Sequence, residues 1–267
     1  MSFQPVVPVS GYLGWRFLER TLDTQQEAFN ESAPVTRETD YFRDNIANIR
    51  SVEDLVNDRR LLSVALGAFG LDDDINNKFF IQRILADGTT SDDALSSRLA
   101  DPRYADFSRA FGFGDSAIPN TVFANFADDI IDRYETKAFE TAVGEQDNDL
   151  RLALNVRDGL SDIFGRASTS AGQWFSVMGN APLRSVFQTA LGLPDSISNI
   201  DLDQQLEVFQ ERSRSVFGTD NLTDFSDPES EEKLIRLFLI RSEAAQFNAA
   251  NGGSIALTLL QSVQSLV

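Results

Sequence analysis

Residues 72–83, DDDINNKFFIQR, place Asp72, Asp74 and Asn76 at alternate positions, the spacing at which a calcium loop presents its first oxygen ligands. That loop also needs a glycine at its sixth position and a bidentate glutamate at its twelfth. Here those positions hold Asn77 and Arg83. With neither the turn nor the closing ligand, the stretch reads as an acidic linker that caps a helix starting near Asn76. Asp128, Asp129 and Asp132, at i, i+1 and i+4, have a spacing that seats a cation on one helix face. No further ligand accompanies them, and a solvated face is expected. In GEQDNDLRL, Asp147, Asn148 and Asp149 read as the start of a helix. Gly112 and Gly114 in RAFGFGD form a lone GxG with no strand before it, and neither GTTSDD nor NGGS has the pattern of a phosphate loop. Arg59 and Arg60, near Glu53 and Asp54, are expected to form a local ion-pair network at a helix start.

The chain has no histidine and no cysteine. Disulfides, thiolate chemistry, the usual zinc sites and both Ser-His-Asp and Cys-His triads are excluded. The commonest general base near neutral pH is missing as well. Chemistry by Asp, Glu, Lys or a hard metal is left open, but no residue set is specific enough to assign. The sequence therefore yields no catalytic, cofactor-binding or metal residue, no cofactor, and the expectation of a protein that is not an enzyme. With 41 acidic against 23 basic residues the net charge is −18, a field that repels nucleic acid and anionic lipid. No stretch reaches the ~20 apolar residues of a membrane span. The start, MSFQPVVPVSGYLGWRF, lacks the basic and apolar regions of a cleaved signal, and Pro5 and Pro8 keep it extended.

The elements that would position any site are helical. Phe42, Ile46 and Ile49 fall at i, i+4, i+7, and Phe80, Ile81, Ile84 and Leu85 line another face. DLDQQLEVFQERSRSVF gives Leu202, Leu206, Phe209 and Phe217, and EEKLIRLFLIRSEAAQF, the most apolar segment, is the candidate central helix. No alternating strand pattern is convincing. Ser51 with Asp54 resembles a capping box, and Asp101-Pro102, Asp227-Pro228 and Ser91 read as helix starts. The 21 phenylalanines fall mostly at helical spacing and are expected in the core. The expected fold is all-α, a compact array of many short helices. An extended segment, 1–9, precedes a single helical domain, 10–267.

One phrase recurs. Residues 61–77 and 183–199 align without a gap and share Leu61/Leu183, Ser63/Ser185, Val64/Val186, Ala68/Ala190, Gly70/Gly192, Leu71/Leu193, Asp73/Asp195, Ile75/Ile197 and Asn77/Asn199. An internal duplication, about 35–118 and 147–225, is the expected origin. Gly70, Gly112 and Gly192 each follow an apolar helical run, so each is expected to turn left-handed, with the next residue closing a Schellman cap. Past NGGS, read as a helix breaker, Ile255, Leu259, Val263 and Leu266 share one face of an uncharged amphipathic helix. Such a helix docks on its own domain or faces a partner.

Four stretches carry a family resemblance: RETDYFRDNIANIRSVEDLVNDRRLLSVALGAFGL, DINNKFFIQRILADGT, LADPRYADFSRAFGF and LIRLFLIRSEAAQFN. With these the chain resembles the bacterial family called domain of unknown function 1217, most densely over 35–115. Members of that family occur mainly in alphaproteobacteria, often near flagellar genes. The resemblance implies an all-helical bacterial protein linked to the flagellum or its assembly, and it transfers no site residue. The expectation is a non-enzymatic structural or assembly protein with flagellar or export components as protein partners. It would reside in the cytoplasm or, exported without a cleaved signal, in the flagellum. The alternative is a cytoplasmic chaperone or adaptor for an exported substrate.

Overall fold

The computed structural model describes residues 3–165 and 169–264, with side chains up to Asn248. The helical periodicity is realised as thirteen α-helices, with no strand among the described residues. They are α1 (Gly11–Asn30), α2 (Ala33–Asn45), α3 (Val52–Asn57), α4 (Arg59–Gly67), α5 (Lys78–Asp87), α6 (Leu95–Arg98) and α7 (Arg103–Phe111), followed by α8 (Phe126–Gly144), α9 (Asn148–Gly165), α10 (Ser170–Gly179), α11 (Ala181–Leu191), α12 (Leu202–Phe217) and α13 (Pro228–Gln264). Short 3-10 turns at Asp72–Asn76, Asp195–Asn199 and Leu222–Ser226 fill several of the joints.

The apolar stripes close around two cores. Phe42, Leu62, Ile84, Phe107, Phe111 and Ile130 centre the first, built by α2 to α8. Leu18, Val156, Trp174, Phe187, Phe209 and Phe238 centre the second, built by α1 and α9 to α13. α8 serves both, since Ile130 and Ile131 enter the first core and Phe139 and Val143 the second. The central helix expected near the C-terminus is α13, where Leu234, Ile235, Phe238 and Leu239 are buried.

The helix pairings recur. α2 packs on α4 as α9 packs on α11, α3 on α4 as α10 on α11, and α3 on α5 as α10 on α12. α8 then packs on α2 and α4 as α13 packs on α9 and α11. The joints match too. Asp58 alone separates α3 from α4, and its carboxylate accepts from the Arg60 and Leu61 N–H groups. Asn180 alone separates α10 from α11, and its side chain accepts from Leu183 N–H. These caps lie at the same offset as the repeated phrase, and each satisfies N–H groups that a helix start leaves orphaned.

The two full copies of the phrase end alike. Gly70 (φ 64°) and Gly192 (φ 67°) are left-handed. Leu71 N–H donates to Leu66 O, and Leu193 N–H to Gln188 O, each the long bond of a Schellman motif. An arginine completes both turns: Arg103 donates to Gly70 O, and Arg241 to Ala190 O. The weaker echo closes differently. Gly112 (φ 68°) makes the single bond to Ser108 O, and Phe113 stacks on Phe111 rather than folding back on Phe107 through a Schellman bond.

Three other expectations are amended. Ser91 caps only a turn, its Oγ accepting from Asp93 N–H, and the helix that follows begins at Leu95 without a side-chain cap. Leu202, read as part of the buried face of α12, is 54% exposed; the face is rotated so that Gln205, Phe209 and Ser213 point inward. α13 carries its helical backbone through Asn251–Ser254, the segment expected to break it. Glycine costs only about 1 kcal/mol in a helix interior and, unlike proline, forbids nothing. The side chains of Ile255, Leu259 and Val263, and all of Leu266, lie outside the described residues.

Candidate functional site

The sequence-level candidates turn out to be structural joints. Asp74 accepts from the Tyr104 hydroxyl (2.6 Å) and from Asn77 Nδ2 (2.7 Å), and Asn76 accepts from Arg59 (3.2 Å). Asp147 caps α9 through the N–H groups of Asp149 and Leu150. Asp128, Asp129 and Asp132 are solvated on α8, with Asp128 3.3 Å from Arg43. The two glycine-bearing loops hold each other: Asp115, just past Gly114, accepts from Thr89 N–H (2.6 Å), Thr89 Oγ1 (2.9 Å) and Thr90 N–H (3.1 Å). A side chain on Gly114 would run into the backbone of Gly88, which explains the small residue there.

Of the arginine cluster, Asp54 forms the capping box with Ser51, which holds its carboxyl below the usual range through the Ser51 hydroxyl and the Arg50 amide. Arg60 instead pairs with Glu38 (3.1 Å) and stacks over Tyr41. Among the described residues no group of three or more carboxylates is placed to hold a metal ion. No helix among them is long and apolar enough to cross a membrane.

The structure does assemble a site that periodicity had not drawn attention to. A cleft of about 650 Å³ opens where α8 and α9 face the end of α4, with Asp72, Lys137, Glu140, Asp158 and Asp162 on its walls. Glu140 is 6% exposed. Lys137 Nζ donates to it at 2.8 Å and Asn155 Nδ2 at 3.3 Å. Burial pushes the Glu140 carboxyl up, against the pull of Lys137. Burial likewise raises Asp162, opposed by Arg133, and Asp72. The available signal was the polar stripe Asn155, Asp158, Asp162 on α9, whose i, i+3, i+7 spacing faces one neighbour. Lys137 also comes within 3.7 Å of Asp158, and Arg133 within 3.8 Å of Asp162, so charges pair across the joint between α8 and α9.

A second surface forms where the N-terminal segment meets α13. Residues 3–10 are extended and lie on the body: Val6 and Gln25 exchange two hydrogen bonds, and Gln146 Nε2 donates to Pro5 O (2.6 Å). Gly11 sits against the Glu243 side chain of α13. Val9 (50% exposed) precedes Gly11 in the N-terminal segment, and Ile240 (48%) and Phe247 (70%) lie on the same stripe of α13 as Glu243.

Fold and surface together define an all-helical protein, a compact array of helices around two cores that share one spanning helix. The chain belongs to the family described as protein of unknown function (DUF1217), whose model matches residues 68–230. The crystal structure of protein AGR_C_984 from Agrobacterium tumefaciens is similar to it, with 26% identity, a TM-score of 0.73, and coverage of 90% of this chain and 98% of that one. No curated protein matches the chain.

Proposed function

We propose that this chain is a non-enzymatic interaction protein of the bacterial flagellum or its assembly, with its contact surface where the N-terminal segment meets α13. The observation that carries the interaction role is exposed apolar surface on an otherwise acidic body, with Ile240 and Phe247 on one stripe of α13. Contiguous exposed apolar surface marks interaction sites in soluble proteins. The internal pairing of Glu140 with Lys137 supports a structural role for the cleft. The flagellar assignment rests on the family resemblance. Two diverged copies, about 35–118 and 147–225, would explain the recurring pairings and caps.

Comparing culture supernatant and cell fractions of wild type and a flagellar-export mutant tests the exported form. Appearance outside the cell only in the wild type is expected, and retention in both strains would overturn export. Deleting the gene tests the flagellar link, and unchanged swimming would remove it.

A further inference from the structure

Residues 3–9 lie on the body the way a bound peptide lies in a groove. Their side chains alternate: Phe3 and Val7 pack against the second core and Pro5 is buried, while Gln4, Val6 and Pro8 are exposed. That is the period of an extended strand. Yet among the described residues no main-chain hydrogen bond ties this segment to the body. Side chains do so instead. Gln25 of α1, 7% exposed, accepts from Val6 N–H (2.6 Å) and donates to Val6 O (3.3 Å), as the peptide group of a neighbouring strand would. Its amide is held in that orientation from within α1. Nε2 also donates to Thr21 Oγ1 (2.7 Å), whose own hydrogen goes to Phe17 O (3.0 Å). Gln146, just past the end of α8, donates to Pro5 O (2.6 Å). These contacts read main chain and no side chain. The segment leaves part of the groove open. A cleft of about 710 Å³ runs on beside Phe3 and Pro5, walled by Phe29 of α1, Val35 of α2 and Tyr134, Ala138 and Ala142 of α8. At its other end the segment turns into α1 at Gly11, which is left-handed (φ 68°), and Gly14 leaves room for the Val9 carbonyl.

We infer that this groove is a binding site for an extended peptide, and that residues 3–9 are a detachable strap that fills it in cis. The occupant it takes from a partner is an uncharged extended segment with apolar side chains at alternate positions, the chemistry of FQPVVPV. Gln25 and Gln146 bind any main chain, while the positions under Phe3, Pro5 and Val7 select apolar side chains. Proline costs nothing at the middle position, since Gln146 reads only its carbonyl. Because Thr21 orients the clamp before any segment arrives, little ordering of the groove is left to be done on binding. The inference goes beyond the interaction role proposed above and does not depend on it.

Fluorescence anisotropy of a labelled synthetic peptide, FQPVVPVS, with the purified full chain tests it. The variant Phe3→Asp, Val7→Asp unseats its own strap. It should bind the peptide saturably, with unchanged helical circular dichroism. The wild type, whose groove is filled, should bind at least about tenfold more weakly. Adding Gln25→Ala to the released variant should weaken binding about tenfold. A peptide carrying aspartate at the places of Phe3 and Val7 should not bind. A folded released variant that takes up no peptide, or takes up the aspartate peptide equally well, overturns the inference. If the released variant loses helicity, hydrogen exchange of the wild type decides. Val6 N–H should exchange at least about a hundredfold faster than the amides of Phe139 and Val143, through local opening. Equal protection would mean that the segment leaves only when the protein unfolds, and the detachable strap would fall with it.

Discussion

At Gly70 and Gly192 the chain must turn left-handed, and an added Cβ would approach an arginine: Arg103 at 3.4 Å and Arg241 at 3.1 Å. Alanine there is predicted to cost about 1–2 kcal/mol, the price of a left-handed conformation for an L-residue, measured by urea unfolding. The replacement at Gly192 should cost more, because its arginine is closer. The Lys137–Glu140 pair makes a pH-dependent prediction. Burial raises the Glu140 carboxyl, so its charged form is the one that opposes folding. That cost is present above its folded pKa and gone below the ordinary carboxylate range; stability from this group falls as pH rises through the window between. Lys137→Met leaves the carboxylate buried without its cation. It should destabilise by about 3–5 kcal/mol near neutrality. The penalty should shrink as acid protonates Glu140. A loss that stays the same size as the pH is lowered until the protein unfolds would remove Glu140 titration as its cause.

The single-residue joints Asp58 and Asn180 fix how α3 meets α4 and how α10 meets α11. Each alanine replacement is predicted to cost about 1 kcal/mol, the usual worth of an N-cap. The two share no hydrogen-bond partner, so the double variant should lose the sum; a shortfall in its unfolding free energy would show that the halves are coupled. Much at this scale was legible in the sequence, because it is local. Ser51 finds Asp54 three residues away, Gly70 and Gly192 end their helices, and Phe42, Ile46 and Ile49 share a face. What was illegible depends on how elements rotate against each other. Leu202 faces outward because Gln205 turns in to bond Arg184 and the Ile200 carbonyl. Asp115 meets Thr89 only once two loops converge, and the Lys137–Glu140–Asn155 set needs α9 laid against α8. The family membership was readable directly, since the motifs that carry it are continuous in the chain.

Taken whole, the molecule is two cores strung on α8 and wrapped in an acidic surface of net −18. Any association between copies works against that self-repulsion. Salt shortens the reach of exposed charges, from roughly 10 Å at 0.1 M to about 3 Å at 1 M, while leaving apolar burial largely intact. An association between copies that buries apolar surface should therefore strengthen as salt rises. Contact with a basic partner would weaken over the same range, because its attraction is the part being screened. Sedimentation of the wild type at low and high salt checks this, and its mass is predicted not to fall as ionic strength rises. Mass that decreases with salt would mean that opposite charges hold the assembly. The contact would then involve exposed charged groups such as Asp128, Asp129 and Arg43.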